Sequence, residues 1–162
     1  MTESSSRDET GREPVVDAVL TASRVLVAVA ARSLAEVADE VTLTQYRSLV
    51  VLASRGAQSV AALAEELTVT PSTASRLCDR LVRKGLVRRR EDRRDRRAVR
   101  VALTPEGRAL VDAVTARRRA EIARLLEQVP ADAQRSMVSA LQRLAQTAGE
   151  VSEQHWSTGW DL

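Results

Sequence analysis

Apolar residues recur at helical spacing along most of the chain and predict six helices. In the first, Val15, Val19 and Val29 belong to one apolar stripe, opposite a polar stripe that contains Asp17 and Arg24. Further apolar residues widen this face, so the first helix needs more than one partner surface. The first helix is predicted from residue 14 onward, and the others over residues 43–54, 60–67, 71–84, 105–128 and 131–151.

Capping residues and helix breakers set the boundaries of these helices. Glycine commonly follows the last turn of a helix, and serine or threonine commonly precedes the first. Proline suits the first helical position because the N–H of that residue has no partner within the helix. The signals are Gly56 and Gly85 after the second and fourth helices, Ser59 before the third, Thr70 and Pro71 at the start of the fourth, and Thr104 and Pro105 at the start of the fifth.

In two short segments, the spacing of apolar residues changes from that of a helix to the alternation typical of a strand. Residues 86–91 and 98–103 are strand candidates, and Val99 and Val101 fall on one face of the second. The residues between them, 92–97, are all charged. This pattern is typical of a β-hairpin with a solvated basic tip, so we expect a mainly α fold with one small β-hairpin.

The N-terminal segment is polar and shows no periodicity. We expect residues 1–13 to form a flexible arm, and they lack the apolar region of a signal peptide. No unbroken run of apolar residues approaches the roughly 18 residues of a membrane span. The sequence therefore predicts a cytoplasmic protein with no membrane partner.

Composition narrows the chemistry that the chain can perform. The aromatic residues are Tyr46, Trp156 and Trp160, so the core must be aliphatic, and RNA recognition by stacked aromatic side chains is disfavoured. The single cysteine, Cys78, excludes an internal disulfide and a cysteine-cluster metal site, and the single histidine, His155, disfavours a histidine-based centre. We expect no enzymatic activity, no metal and no cofactor.

Positive charge is concentrated in one segment of the chain. From Arg76 to Arg100, twelve lysine and arginine residues outnumber four acidic ones, a local net charge of +8. The whole chain carries +3, so the remainder carries −5. A short basic segment on an otherwise acidic protein indicates a surface that binds a polyanion.

The third helix, a short turn and the fourth helix form a helix-turn-helix candidate, and the hairpin that follows makes it a winged one. In the fourth helix, Ala74, Leu77, Cys78 and Leu81 share the face expected in the core. The residues expected on its outer face are Ser72, Thr73, Ser75, Arg76, Asp79, Arg80 and Arg83.

Small hydroxyl residues at the start of the fourth helix let its backbone approach a DNA groove closely. Hydroxyl and N-terminal N–H groups suit phosphates, whereas Arg76 and Arg80 are long enough to reach base edges. Taken alone, this helix is equally an ordinary amphipathic helix, but the basic hairpin favours double-stranded DNA, with residues 71–84 in the major groove. The predicted DNA contacts here are Thr70, Ser72, Thr73, Ser75, Arg76 and Arg80.

Several segments together resemble the MarR family of bacterial transcriptional regulators. They are residues 42–49 (TLTQYRSL), residues 73–86, which end in KGL, and residues 95–107, in which DRRA is followed by VALTPEG. The last segment is the most specific, because it matches the wing and the start of the fifth helix in that family. Where the family often has proline before the wing's Arg-Asp pair, this chain has Arg93.

The resemblance covers roughly residues 14–150 and implies an obligate homodimer on a pseudo-palindromic operator. The first helix and the last two helices of each subunit would form the dimer interface. The implied organisation is a flexible arm (1–13), a dimerisation helix (14–40), a winged helix-turn-helix DNA-binding lobe (41–104) and a helical dimerisation region (105–162).

The resemblance also implies roles for individual wing and cleft residues. Residues 92–97 of the wing would enter the minor groove, with Arg94, Asp95 and Arg97 as DNA-binding residues; Arg97 enters the groove and Asp95 holds it. MarR effectors, often aromatic acids and other small phenolics, bind between the dimer region and the DNA-binding lobe. Tyr46 would border that cleft, although it is also a candidate core anchor. We therefore expect a repressor that a small molecule releases.

Other interpretations remain open from the sequence. A redox sensor of the same fold would use Cys78, although the position of Cys78 on an apolar stripe favours a packing role. A basic interaction module would bind RNA or an acidic protein instead of DNA. An enzyme with Cys78 as nucleophile lacks a base, because His155 lies in the tail. That tail also holds Trp156 and Trp160, which we expect to pin the C-terminus onto the dimer region.

Overall fold

The computed structural model describes residues 3–37, 41–91, 99–151 and 156. These residues contain six helices and three short strands. They are α1 (Glu3–Ala35), α2 (Leu43–Arg55), β1 (Gln58–Ser59), α3 (Val60–Leu67), α4 (Pro71–Arg83), β2 (Val87–Glu91), β3 (Val99–Leu103), α5 (Pro105–Leu126) and α6 (Ala131–Thr147). The fold is mainly α with a small antiparallel sheet, so the predicted fold class is confirmed.

The strands form one antiparallel sheet in the order β1-β3-β2. In the hairpin, Val87 pairs with Leu103 and Glu91 pairs with Val99. At the other edge of β3, Gln58 of β1 pairs with Val101. The sequence pattern does not predict β1, because two residues are too few to show an alternation.

Side-chain caps begin four of the helices, including the three predicted from sequence. A cap of this kind typically contributes about 1 kcal/mol. The hydroxyl of each N-cap accepts a backbone hydrogen bond: Ser59 from Ala62 (3.1 Å), Thr70 from Thr73 (3.3 Å), Thr104 from Gly107 (3.0 Å) and Thr42 from Gln45 (3.3 Å). The Gln45 side chain also accepts from the Thr42 N–H, which completes a capping box before α2.

The start of α1 differs from the predicted one. The apolar pattern places it at Pro14, whereas α1 begins at Glu3 and includes Pro14 in its interior. Residues 3–13, which the sequence assigns to a flexible arm, therefore form the first turns of this helix. Apolar residues at helical spacing identify only those helices that bury one face. Residues 3–13 are too polar to form such a face, so the pattern does not identify this part of the helix.

The end of α6 also differs from the predicted one. The pattern extends to residue 151, whereas α6 ends at Thr147. Gly149 takes a left-handed conformation with φ 72°, and its N–H donates to the Gln146 carbonyl at 3.0 Å. A glycine in this position commonly terminates a helix, so it is the stop signal that the apolar pattern misses.

An aliphatic core joins α2, α3, α4 and the sheet to α5. Its largest fully buried members include Leu49, Leu52, Leu63, Leu81, Val101, Leu103, Val111 and Val114. Tyr46 belongs to the same cluster, and α1 contributes Leu34. The core therefore lies in the helix-turn-helix lobe and the first half of α5, and it holds the end of α1 against them.

Two helices leave wide apolar faces uncovered in a single chain. Every residue of α6 is at least partly accessible to solvent. The exposed large apolar side chains are Val15, Val16, Val19, Leu20, Val25, Leu26 and Val27 on α1, and Met137, Val138, Leu141 and Leu144 on α6. Exposed apolar surface of this extent marks an interface with another molecule.

The sequence shows no unbroken apolar run of membrane-span length, but the apolar part of α1 as a whole reaches that length. By length and composition alone, Arg12–Ala35 is long and apolar enough to cross a membrane, although charged residues break it into shorter apolar runs. Arg24 lies near the middle of this segment, where an arginine in a membrane span costs about 3 kcal/mol. The charged stripe therefore favours a helix that packs against protein.

The start of α5 packs tightly against the residue that precedes β2. The Thr104 N–H donates to the Leu86 carbonyl at 3.1 Å, and the Thr104 hydroxyl donates to the Gly85 carbonyl at 2.6 Å. A Cβ on Gly107 would lie only 2.0 Å from the Leu86 carbonyl oxygen. Only glycine fits there, and this contact fixes the hairpin to α5.

We predict that Gly107→Ala lowers the free energy of unfolding by about 1–3 kcal/mol, because the added methyl group overlaps the backbone of Leu86. The overlap should outweigh the gain of up to about 1 kcal/mol that alanine has over glycine within a helix. Thermal unfolding measures the change, with Ala109→Ser at an exposed position of α5 as the control. A Gly107→Ala protein as stable as wild type would show that the contact is not tight.

Candidate nucleic-acid interface

A three-residue turn joins α3 to α4 and completes the predicted helix-turn-helix. Thr68 begins the turn in a left-handed conformation (φ 55°, ψ 46°), which is unusual for a β-branched residue. Its N–H donates to the Glu65 carbonyl and the Val69 N–H donates to the Ala64 carbonyl, both at 3.0 Å. These bonds end α3 and redirect the chain into α4.

Burial of one face of α4 sets the rotation of this helix. The predicted inner face is confirmed, because Ala74, Leu77, Cys78 and Leu81 are all buried. Truncation of a buried leucine to alanine typically costs 2–5 kcal/mol, so these contacts dominate the placement of the helix. Arg76 and Arg80 are therefore held on the exposed face.

Hydroxyl groups cluster at the N-terminus of α4. The Thr70 hydroxyl oxygen lies 3.1 Å from that of Ser72 and 2.9 Å from that of Thr73. Thr70 and Ser72 are exposed, whereas Thr73 and Ser75 are half-buried. The first turn of α4 thus presents small polar groups together with the positive end of the helix dipole, an arrangement that suits a phosphate.

Arg76 and Arg80 border a groove between α4 and the start of α2. The groove has a volume of about 350 Å³. The residues that line it are Thr42, Thr44, Gln45, Thr73, Arg76, Leu77 and Arg80. The structure thereby adds the capped N-terminus of α2 to the predicted surface, a neighbour that the spacing within α4 does not reveal.

An ion pair connects α4 to the hairpin. Asp79 Oδ1 lies 2.5 Å from Arg89 Nη2, and both side chains are about half exposed. An exposed pair contributes at most about 1 kcal/mol, so its main effect is to orient the hairpin relative to α4. The sequence places Asp79 on the outer face of the helix but gives no sign that its partner is on β2.

Three of the predicted site residues, Arg94, Asp95 and Arg97, lie outside the described residues. The pair formed by Glu91 and Val99 is the last described pair of the hairpin. The assignment of these three residues to the minor groove therefore remains a prediction.

A cavity of about 780 Å³ separates α1, α2 and the segment that follows α6. Tyr46 lines this cavity and also belongs to the core cluster. Among the other lining residues, Arg47 and Arg118 supply positive charge and Glu150 negative charge. The cavity has the size typical of a small-molecule site.

The segment that follows α6 returns to the lobe and closes one side of this cavity. Arg55 donates to the Gly149 carbonyl at 2.9 Å, and Trp156 Nε1 donates to the Val151 carbonyl at 3.1 Å. Trp156 packs against the core. Arg108 Nη1 of α5 donates a hydrogen bond to the Trp156 carbonyl at 3.5 Å. Trp156 therefore anchors the segment, whereas Trp160 and His155 lie outside the described residues.

Cys78 is fully buried on the inner face of α4. Burial raises the pKa of its thiol, and this effect outweighs the nearby Arg89 guanidinium, which lowers the pKa. The neighbouring Asp79 carboxylate raises it further. The thiol therefore stays protonated near neutral pH, which is the form that reacts slowly.

We predict that Cys78 of the native protein reacts with a thiol reagent such as DTNB far more slowly than Cys78 of the protein unfolded in urea. The reaction of the native protein should accelerate only as the pH rises past the ordinary pKa of a thiol, because burial raises the pKa of Cys78 and the thiolate is the reactive form. Cys78→Ala should cost about 1–2 kcal/mol of stability through lost packing. Rapid reaction of the native protein at neutral pH would instead support a redox-sensing role.

The helix-turn-helix region matches a known protein family, and most of the chain matches a known repressor. A family model described as MarR family matches residues 41–99, a span from the residues before α2 to the start of β3. The HTH-type transcriptional repressor MdtR of Bacillus subtilis (strain 168) is 32% identical to this chain over 119 residues. That match covers 74% of this chain and 77% of MdtR.

Solved structures share the fold over most of its length. RV1404 from Mycobacterium tuberculosis is 41% identical, with a TM-score of 0.80 over 87% of this chain and 96% of RV1404. A variant of S. aureus MepR, bound to an oligodeoxyribonucleotide, is 24% identical, with a TM-score of 0.60 over 83% of this chain and 97% of MepR. The predicted winged helix-turn-helix fold is confirmed, and the chain belongs to the MarR family of transcriptional regulators.

Proposed function

We propose that this protein is a cytoplasmic, sequence-specific repressor that binds double-stranded DNA as a homodimer and is released by a small molecule. The observation that carries the proposal is the exposed face of α4, where Arg76 and Arg80 stand behind a cluster of hydroxyl groups. We infer that the protein is a regulator without enzymatic activity, because the relatives that its family membership gives it are transcriptional regulators.

The exposed face of α4 has the groups that a major-groove helix needs. Thr70 and Ser72 suit contacts to phosphate, which fix the position of the helix on the duplex. Arg76 lies one turn further along, where its guanidinium is able to make a bidentate contact with a guanine. Arg94, Asp95 and Arg97, which lie outside the described residues, are proposed to contact the adjacent minor groove.

Two relatives support the assignment to DNA and to repression. MdtR, the relative with 32% identity, is a transcriptional repressor, and the MepR variant was solved with a bound oligodeoxyribonucleotide. The local charge of +8 between Arg76 and Arg100 supports the same ligand, because phosphate neutralisation supplies much of the affinity for DNA.

The uncovered apolar faces of α1 and α6 support an obligate homodimer. Aliphatic residues such as Leu20, Leu141 and Leu144 are about half exposed in a single chain. Obligate dimers commonly bury more than about 2,000 Å² of surface, and they bury it through apolar contacts of this kind. A two-fold dimer would present two copies of α4 to a pseudo-palindromic operator.

The cavity beside Tyr46 is the proposed effector site. Its apolar walls come from α1 and α2, and arginine side chains at positions 47 and 118 also line it. These groups suit a small aromatic acid or phenol, whose ring would pack near Tyr46 and whose acidic group would face an arginine. Because the cavity touches both the dimer helices and the lobe, a ligand there is able to change the spacing of the two α4 helices.

We predict that Arg76→Ala weakens binding to the preferred operator by about 1–3 kcal/mol, the value of one bidentate base contact. Binding to unrelated duplexes should weaken much less, so the ratio of the two affinities should fall. Titration of labelled duplexes measures both affinities, with Arg143→Ala on the polar face of α6 as the control. An equal loss of affinity on every DNA sequence would make Arg76 a phosphate contact. Strong binding to RNA, without preference for any DNA duplex, would favour the RNA-binding alternative.

We predict that Leu141→Asp abolishes the dimer, because it places a charge in the apolar face of α6. Folding should be lost with the dimer, since the subunits of an obligate dimer are not stable as separate monomers. Light scattering gives the mass, circular dichroism gives the helix content, and Gln142→Asp on the polar side of α6 is the matched control. A wild-type protein that is monomeric at micromolar concentration would contradict the dimer.

A further inference from the structure

One arginine at the end of α2 joins two other parts of the molecule at the edge of the cavity. Arg55 Nη2 lies 3.2 Å from Glu66 Oε2 of α3, and the same nitrogen donates to the Gly149 carbonyl at 2.9 Å. Arg55 and Glu66 both line the cavity. Arg55 therefore links the helix-turn-helix to the end of α6 at the proposed effector site.

The contacts of Arg55 bear on the placement of α4. Glu66 lies in the last turn of α3, two residues before Thr68, where the chain turns toward α4. The Arg55 carbonyl accepts a hydrogen bond from Gln58 Nε2 at 3.0 Å, which holds the end of α2 in place. A change in the partner of the guanidinium therefore changes how α3 is held relative to the end of α6.

The pair of Arg55 and Glu66 is open to exchange with a ligand. Their side chains are 35% and 34% exposed, and ion pairs in such a setting are weak. The carboxylate of a ligand makes the same charge-assisted hydrogen bonds to a guanidinium as the carboxylate of Glu66 does. An acid in the cavity is therefore able to compete with Glu66 for Arg55, and its negative charge would also repel Glu66.

We propose that Arg55 is the residue through which an acidic effector acts, because it exchanges Glu66 for the acidic group of the bound molecule. This inference rests on the proposed function, which assigns low operator affinity to the protein with its effector. Since Glu66 and the effector compete for one guanidinium, the pair of Arg55 and Glu66 belongs to the form that binds DNA. Loss of the pair should then lower operator affinity without any effector.

The test uses the operator that the wild-type protein selects from random DNA. Benzoate is the acidic probe, and benzamide is its neutral isostere. Operator affinity and benzoate affinity are measured for wild type, Arg55→Gln, Glu66→Gln and the variant with both changes, and circular dichroism checks that each is folded. The control is Glu65→Gln, which removes the same charge from an exposed residue next to Glu66.

We predict that Glu66→Gln weakens operator binding by about fivefold, at the low end of typical coupling between two sites, whereas Glu65→Gln does not weaken it. Loss of a negative charge by itself favours binding to DNA, so the predicted weakening is opposite to the general electrostatic effect. Arg55→Gln should also weaken operator binding. Addition of Glu66→Gln to Arg55→Gln should cause no further loss, because both changes break the same interaction.

Benzoate binding should respond in opposite directions to the two changes. Glu66→Gln should bind benzoate more tightly than wild type because the competing carboxylate is gone, whereas Arg55→Gln should bind it more weakly. Benzamide, which has no charge, should show neither effect. Benzoate should also weaken operator binding by wild type more than operator binding by Glu66→Gln, and calorimetry with labelled-duplex titration measures these affinities.

Two results would overturn the inference while the proposed function stands. One is a Glu66→Gln protein that binds the operator as tightly as wild type or more tightly. The other is a benzoate affinity that Arg55→Gln does not lower, which includes a wild-type protein that binds no benzoate. If the wild-type protein selects no sequence from random DNA, the proposed function itself fails, and the inference fails with it.

Discussion

Burial of the inner face of α4 is the constraint on which the rest of the structure depends. Four small or aliphatic side chains, Ala74, Leu77, Cys78 and Leu81, hold this helix in the core. Each buried leucine is worth several kcal/mol, whereas the exposed pair of Asp79 and Arg89 is worth at most about 1 kcal/mol. Packing therefore decides which way α4 faces, and the polar face that DNA would meet follows from it.

The second constraint is the rigid connection from the hairpin to α5. Leu86 accepts a hydrogen bond from Thr104 and lies against Gly107, where no side chain fits. These contacts fix the base of the hairpin to the long helix that leads into α6. The pair of Asp79 and Arg89 joins the same hairpin to α4.

The sequence predicts most of this architecture because the local signals are strong. Ser59, Thr70 and Thr104 are caps whose partners are three residues away, so their roles can be inferred without a fold. The inner face of α4 follows from the helical period in the same way. Contacts between distant segments give no such signal: Arg89 with Asp79, Arg100 with Ala57 and Trp156 with the core depend on how the elements pack. The start of α1 is misplaced for a related reason, because a polar helix shows no apolar period.

In the proposed complex, the exposed face of α4 reads DNA as one half of a symmetric pair. Selection of bound sequences from random duplexes by the wild-type protein tests it most directly. We expect a two-fold symmetric motif whose half-sites are centred about one helical turn, 10–10.5 base pairs, apart or a multiple of that spacing. Enrichment of no sequence, or of a single half-site without a symmetric partner, would contradict it.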